Sequence, residues 1–288
     1  MRYSMDCLPC LLQQGIRTAR EYLETEEEQR DLVKKIIGEM AAVGTDASAP
    51  FIAHKIQRVL KETIKITDPY FKEKQYYNRE MLKLEDEFAG MVESADNPLK
   101  AALKLAAAGN IIDFGPGHDL SRDSVLQTVR DTMKKEYPDE VFQSFTSALK
   151  HADRLLYLGD NAGEIVFDKV FIRTIKAVYP QLQVYFATRG KPIINDVTEN
   201  DAYAVKMDSH ASIINNGTDI PGTILELCND TFKEIFWAAD VIISKGQGNF
   251  ESLCGTRHPN LYYIFLCKCS LFTERFGVNQ NDMVLFKE

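Results

Sequence analysis

The chain has little of what most quickly classifies a protein. No apolar run approaches the ~18 uninterrupted residues that cross a bilayer. The N-terminal MRYSMDCLPC has no apolar signal core followed by small residues. Basic residues are in deficit: 34 Lys and Arg face 42 Asp and Glu, a formal charge of -8. Broad nucleic-acid or anionic-membrane binding needs a basic face, so neither partner is expected. A local basic pocket for a small phosphorylated compound is compatible with that balance. Six cysteines in 288 residues do not make a disulfide scaffold, and reduced thiols in the cytoplasm are the expectation. His54, His118, His151, His210 and His258 show neither HxxxH nor HxH spacing and read as surface or core residues, with His118 singled out by its glycine loop. No GxxxxGK[ST] loop is present, which excludes a P-loop nucleotide hydrolase. Gly246-Gln247-Gly248 does not extend to a dinucleotide fingerprint, because position 251 is Glu. There is no internal repeat, low-complexity tract or obvious linker.

What is present is a normal globular composition, 45% hydrophobic and 26% charged, divided between two periodicities. Residues 1–152 read as successive helices. Thr25-Glu26-Glu27-Glu28 fits a capping box, and Leu32, Val33, Ile36, Ile37 and Met40 follow at helical spacing. Residues 48–64 repeat the pattern. Asp68-Pro69 predicts a helix start for a segment carrying Met81, Leu82, Leu84, Phe88 and Met91. Asn97-Pro98 opens another helix ending near Gly109, residues 111–119 (IIDFGPGHD) read as loop, and helical patterns recur near 124–135 and 139–152. From residue 153 the pattern changes to short apolar runs at 155–158, 184–187, 213–214, 241–243 and 261–266, with helical stretches such as 164–178 and 222–239 between them. Continuous apolar strands alternating with helices predict an α/β fold: a helical N-terminal region packed on a Rossmann-like, three-layer α/β/α unit, 153–288, with a mainly parallel sheet.

In such a sheet, ligands bind beyond the C-terminal ends of the strands. The polar residues that follow the apolar runs are therefore the candidates. The first run leads into Gly159-Asp160-Asn161-Ala162-Gly163-Glu164, where an adjacent carboxylate and carboxamide suit a hard divalent cation. The next strand ends bring Arg189-Gly190-Lys191 with Asn195-Asp196 and Asp201, then Asn215 to Asp219, then Lys245-Gly246-Gln247-Gly248-Asn249, and finally Lys268. Together they offer oxygen ligands, fixed cations and glycine loops, a set fitted to a metal ion and a phosphorylated small molecule. Each has a plainer reading. Asp160, Asn161 and Asp196 could cap helices, and Lys245 and Lys268 could be solvated. The cysteines leave two readings as well. Cys7-x-x-Cys10 and Cys267-x-Cys269 could share a metal if the fold brings them together, or could be free thiols, the favoured reading.

The combination of GDNAGE (159–164), RGKPIINDVT (189–198), KGQGNFESL (245–253) and a late lysine, with DCLPC (6–10) at the start, resembles the damage-control phosphatase family, long known as domain-of-unknown-function family 89. The early CxxC and AAAGNIIDFG (106–115) resemble its prokaryotic subfamily. The resemblance implies a divalent-metal-dependent phosphatase of small phosphorylated metabolites, sugar phosphates among them, using Mn, Mg, Co or Ni. It implies Asp160, Asn161 and Asp196 as metal ligands, and Lys245, Gly246, Asn249 and Lys268 as phosphate contacts beside Asn161. Glu164 and Asp196 are both candidates to orient or deprotonate the attacking water, with Asp160 as covalent nucleophile a further possibility. The sequence departs from relatives at two places. The acidic residue after the DNAG turn comes one position later in some of them than Glu164, and Phe265-Leu266-Cys267 stands where eukaryotic members carry an Arg-Thr motif. Alternatives are an S-adenosylmethionine-dependent carboxyl methyltransferase, disfavoured because an acidic pair replaces a glycine-rich first loop, and a non-catalytic phospho-metabolite binder. Nothing in the sequence speaks to oligomeric state.

Overall fold

The computed structural model describes residues 1–110, 121–137 and 139–288, so the expected loop at 111–119, with His118, lies outside the described residues. Three helices come first: α1 (Cys7–Tyr22), α2 (Glu26–Ala42) and α3 (Ala49–Ile64). They bury a small core of their own, Ala19, Leu32, Ile36, Ile52, Ile56 and Leu60. The capping box at Thr25 and Glu28 forms as the spacing predicts.

The single helix expected over 69–91 is two, α4 (Phe71–Leu82) and α5 (Glu85–Glu93). Glu85, Asp86 and Glu87 make an acidic first turn for α5, which favours a fresh helix N-terminus there. The bend keeps Met81, Leu84 and Phe88 buried together. Asp68 accepts from the Tyr70 backbone N–H at 3.1 Å, and the helix begins at Phe71, not at Pro69. Then follow α6 (Pro98–Gly109), capped by the Asn97 side chain, α7 (Arg122–Lys134) and α8 (Asp139–Lys150).

The rest of the chain builds one sheet. Its strands are β1 (Arg154–Leu158), β2 (Gln183–Thr188), β3 (Ser212–Asn215), β4 (Val241–Lys245), β5 (Leu261–Leu266) and β6 (Met283–Lys287), in the order β3-β2-β1-β4-β5-β6. The first five are parallel; β6 pairs antiparallel with β5. Between strands lie α9 (Glu164–Val178), α10 (Glu199–Ala204), α11 (Asp230–Ala238), α12 (Gln247–Leu253) and α13 (Ser270–Phe276). Strand β6 is an addition to the sequence reading; its MVLF run is too short for periodicity to distinguish. The helix expected over 222–239 shrinks to α11, because Asn229 caps it by accepting from the Phe232 N–H at 2.8 Å, and 222–229 holds only a 3₁₀ turn at Leu225–Leu227.

Alternating strand residues face two helical layers. Leu155, Tyr157, Phe186, Ile243 and Ile264 point into a core shared with α5 to α9. Leu156, Leu158, Ile242, Tyr263 and Phe265 point into a second core with α11, α12 and α13. α6 is buried along almost its whole length, and its run of alanines lets it lie close against α9. Among the described residues no helix is long and apolar enough to cross a membrane. The strand order reverses between β1 and β4, so the crevice beyond their C-terminal ends is the expected ligand position.

Helix α3 clasps the rim of that crevice. His54 Nδ1 lies 3.0 Å from the Asp219 carbonyl and 3.2 Å from its carboxylate, and Lys61 donates to the Pro192 carbonyl. The hydrogen bond that His54 donates to Asp219 lifts the His54 pKa above its ordinary 6.5, against the effect of burial. A raised histidine pKa favours the fold below the unfolded-state value, and that contribution is lost as pH rises through the folded-state value. Thermal melts should therefore show the wild type losing stability more steeply than His54→Gln between about pH 6 and 8. Parallel pH profiles would rule the clasp out as a contributor.

Candidate active site

Strand β1 ends at Leu158 and the chain turns through Gly159 to Gly163 before α9. The helix-cap reading of this turn fails. The cap of α9 is Gly163, at φ 74°, and no side chain caps it. Asp160 and Asn161 instead turn toward the segment after β2. Asn161 and Asp196 face each other in an isolated antiparallel bridge. The Ala162 N–H donates to the Asn195 carbonyl and the Val197 N–H to the Asp160 carbonyl, each at 2.9 Å. This backbone pairing is what brings Asp196 beside Asp160 and Asn161. Nor does Asp196 cap α10; Thr198 and Asp201 form that capping box.

Around this turn the side chains form a connected network. Asp160 Oδ2 accepts from Asn161 Nδ2 at 2.7 Å and from Asn110 Nδ2 at 3.1 Å. Arg189 Nε donates to Asp196 Oδ2 at 2.7 Å, and its Nη1 to Asn249 Oδ1 at 3.1 Å. Arg189 Nη2 stands 3.9 Å from Asp160 Oδ1 and is buried without a hydrogen-bond partner among the described residues. Gly246 closes the other side at φ 80°. A Cβ there would sit 2.0 Å from Asp160 Oδ2, so the approach of the β4 end to this carboxylate is open to glycine alone.

Two residues expected to contact phosphate are occupied elsewhere. Lys245 is fully buried. Its ammonium donates to Glu164 Oε1 at 2.7 Å, Asp168 Oδ1 at 2.6 Å and the Ala106 carbonyl at 2.8 Å. Every N–H it has is thereby used. Asn249, also fully buried, donates to the Lys245 and Gly159 carbonyls and accepts from Arg189 and Thr223. It pins the ends of β1 and β4 together. The sequence pattern reports residue type and place beyond a strand, and both lysine and asparagine serve there as cross-braces. Lys268 differs: it is half-buried, and its positive charge reaches Asp160. Among the described residues, no hydrogen bond or ion pair engages its ammonium.

Three residues matter more than the motifs suggested. Asp168 lies one turn beyond Glu164 on the same face of α9. Asn110, at the end of α6, bridges Asp160 and Glu164 through one amide nitrogen, at 3.1 and 3.0 Å. Arg189 joins Asp196 to Asn249. The i, i+4 spacing of Glu164 and Asp168 was a usable signal; nothing in the local sequence reveals the reach of Asn110.

The electrostatics are unbalanced. Asp160, Glu164, Asp168 and Asp196 lie together, buried or nearly so, with Lys245 and Arg189 as the buried cations among them. Two carboxylates are thus in excess of the buried cations, and Lys268 faces one of them, Asp160. The imbalance shows in the pKa values. Burial, with Glu164 and Asp196 nearby, pushes Asp160 up to about 8. Burial also raises Asp196, against the pull of Arg189. Asp168 rises to about 7 through burial, although Lys245 opposes it. Glu164 goes the other way: burial would raise it, but Lys245 and the hydrogen bonds from Asn110 and Asn161 hold it below the ordinary value. Among the described residues no hydrogen-bond donor meets Oδ1 of Asn161 or of Asp196. Two carboxylates and a carboxamide with spare oxygens, where carboxyl groups outnumber the buried cations, fit a hard divalent cation.

The cysteines come nearer one another than their sequence separation suggests. Cys7, Cys10 and Cys269 line one cleft of about 450 Å³ with Lys268 and Gln247, while Cys267 is buried. All six cysteines are free thiols. No group of three or more His, Cys, Asp or Glu side chains among the described residues is gathered in metal-holding geometry, so the four cysteines are not a preformed metal site.

A family model described as the damage-control phosphatase ARMT1-like domain matches residues 3–284. The chain belongs to this family. Its relatives match over nearly their whole length. An uncharacterised protein of Methanocaldococcus jannaschii is 34% identical, over 98% of this chain and 94% of its own. Proteins named as damage-control phosphatases from Archaeoglobus fulgidus and Pyrococcus horikoshii are 31% and 30% identical, covering 99% and 100% of this chain and 98% of each relative. A crystal structure of a domain-of-unknown-function-89 protein from P. horikoshii superposes with a TM-score of 0.89 at 27% identity, over 100% of this chain and 99% of that one.

In this family member, the buried lysine makes a sharp prediction. Lys245→Met should cost about 3–5 kcal/mol in urea unfolding, because it strands Glu164 and Asp168 as buried charges without their cation. A loss under ~1 kcal/mol would show that water reaches the triad and that its burial is wrong.

Proposed function

We propose that the chain is a divalent-metal-dependent phosphatase acting on small phosphorylated metabolites such as sugar phosphates. The observation that carries this reading is the excess of carboxyl groups over buried cations among Asp160, Glu164, Asp168 and Asp196, set at the point where the strand order reverses. Membership in a family whose relatives are named as damage-control phosphatases supports it. Asp160, Asn161 and Asp196 would hold one Mn²⁺, Mg²⁺, Co²⁺ or Ni²⁺. When bound, such an ion supplies Lewis acidity to the phosphate ester and a site for the attacking water.

The protein's own groups have distinct parts. Lys268 is the cation available to a phosphoryl oxygen, since Lys245 has no proton to spare. Gly246 admits the ligand carboxylate to the crevice by having no side chain. Neither carboxylate weighed for the water is free in this geometry: Asp196 is assigned to the ion and its other oxygen is held by Arg189, and Glu164 is tied to Lys245 and held low. Asp160 as covalent nucleophile is disfavoured, because a carboxylate engaged by an ion is a poor attacking group.

Asp160→Ala and Asp196→Ala should each lower phosphate release from a panel of sugar phosphates by on the order of 10²–10³-fold or more, while circular dichroism shows an intact fold. Chelation should silence the wild type, and Mn²⁺ or Co²⁺ should restore it. Full activity in either purified variant, or in the chelated protein, would sink the assignment. S-adenosylmethionine binding by calorimetry without phosphate release would favour the methyltransferase reading instead.

A further inference from the structure

The DNAG turn and the Asp196 segment arrive from different strands, yet their oxygens must keep a fixed spacing to share one ion. Backbone pairing aligns the two segments, and a single side chain from the helical region also grips both. Asn78, on α4, is 4% exposed. Its Oδ1 accepts the Gly163 backbone N–H at 2.6 Å. Its Nδ2 donates to Asp201 Oδ1 at 3.1 Å. The other oxygen of Asp201 accepts the Thr198 backbone N–H at 2.9 Å and the Thr198 hydroxyl at 2.6 Å. Gly163 lies two residues after Asn161, and Thr198 two residues after Asp196. One carboxamide therefore spans the two ligand-bearing segments, directly on one side and through Asp201 on the other.

The arrangement is electrostatically supported. Lys74, one turn earlier on α4 and 1% exposed, places its ammonium 3.5 Å from Asp201 and 2.8 Å from Asp68. Asp201 thus keeps a cation beside it and remains a strong acceptor for Asn78 and Thr198. A carboxamide offers an acceptor to Gly163 and a donor to Asp201 on two separate atoms of one short side chain. Gly163 sits at φ 74°, in the positive-φ region that glycine reaches without steric cost.

We propose that Asn78 is a positioning residue of the metal site, setting the distance between the Asp160–Asn161 turn and Asp196 from the helical layer. This rests on the metal-dependent reading above. Outer groups that orient metal ligands typically change metal affinity by about 10–100-fold when removed. Asn78→Ala removes both bonds and should weaken Mn²⁺ binding by that range in calorimetry on the full chain, without any turnover measurement. Where the alanine variant fails to fold, Asn78→Asp tests the same point. It keeps an acceptor for Gly163, loses the donor to Asp201, and should weaken Mn²⁺ binding by about 10-fold.

Phe145→Leu is the control. Phe145 is fully buried on α8, against Phe171 and Tyr262. It should lower the melting temperature and leave Mn²⁺ affinity unchanged. If the control weakens Mn²⁺ binding as much as the Asn78 variants do, the effect is general destabilisation and the positioning role is overturned. Wild type and Asn78 variants binding Mn²⁺ equally would overturn the positioning role alone. A wild type that binds no Mn²⁺ would overturn the metal-dependent reading itself, and the positioning role with it.

Discussion

The structure turns on one buried ammonium. Lys245 leaves the end of β4 and spends its hydrogen bonds on α6, through the Ala106 carbonyl, and on two turns of α9, through Glu164 and Asp168. Desolvating a lysine costs several kcal/mol, which close partners of opposite charge must offset. Here they do: burial lowers the proton affinity of Lys245, and the two carboxylates more than reverse it. Sheet, crossover helix and helical layer are thereby joined at a point where nonpolar packing alone would leave their spacing loose.

From that point the polarity is passed outward. With one oxygen fixed by Lys245, Glu164 presents the other to Asn110 and Asn161, and both of those amides also donate to Asp160. On the far side Arg189 secures Asp196 and Asn249. Acceptors and donors alternate, so each oriented group orients the next. The result is a crevice whose inner wall is hydrogen-bonded and paired and whose outer carboxyl groups, Asp160 and Asp196, have raised proton affinity.

Much of this was legible in the sequence where local rules govern. Thr25 and Glu28 cap α2, Asn97 caps α6, and α9 spans the predicted 164–178, since capping chemistry and apolar spacing act over a few residues. The five apolar runs became five parallel strands for the same reason. The failures follow from longer-range constraints. The continuous pattern through Met81 and Phe88 hid a bend that the acidic start of α5 permits. Ile224 and Leu225 looked helical until Asn229 offered a better cap. At the site, Asp160, Asn161 and Asp196 were named from type, place and family resemblance, and the structure brings them together. Lys245 and Asn249 were named by the same logic but face inward. A sequence shows that a lysine follows a strand; whether it meets water or a pair of buried acids depends on a helix 81 residues away in the chain.

The buried cluster of Lys245, Glu164 and Asp168 is assembled from segments that are synthesised at different times. Glu164 and Asp168 emerge from the ribosome well before Lys245, which lies 77 residues beyond Asp168. At about 5–20 residues per second that interval is roughly 4–15 s. During it, α9 has its acids but lacks their cation, and closing the core over them would bury two uncompensated charges. Strand β1 likewise has β2 beside it but waits for β4 on its other edge. The helical layer can gather early, whereas the sheet domain has no partner for these two acids until its fourth strand arrives.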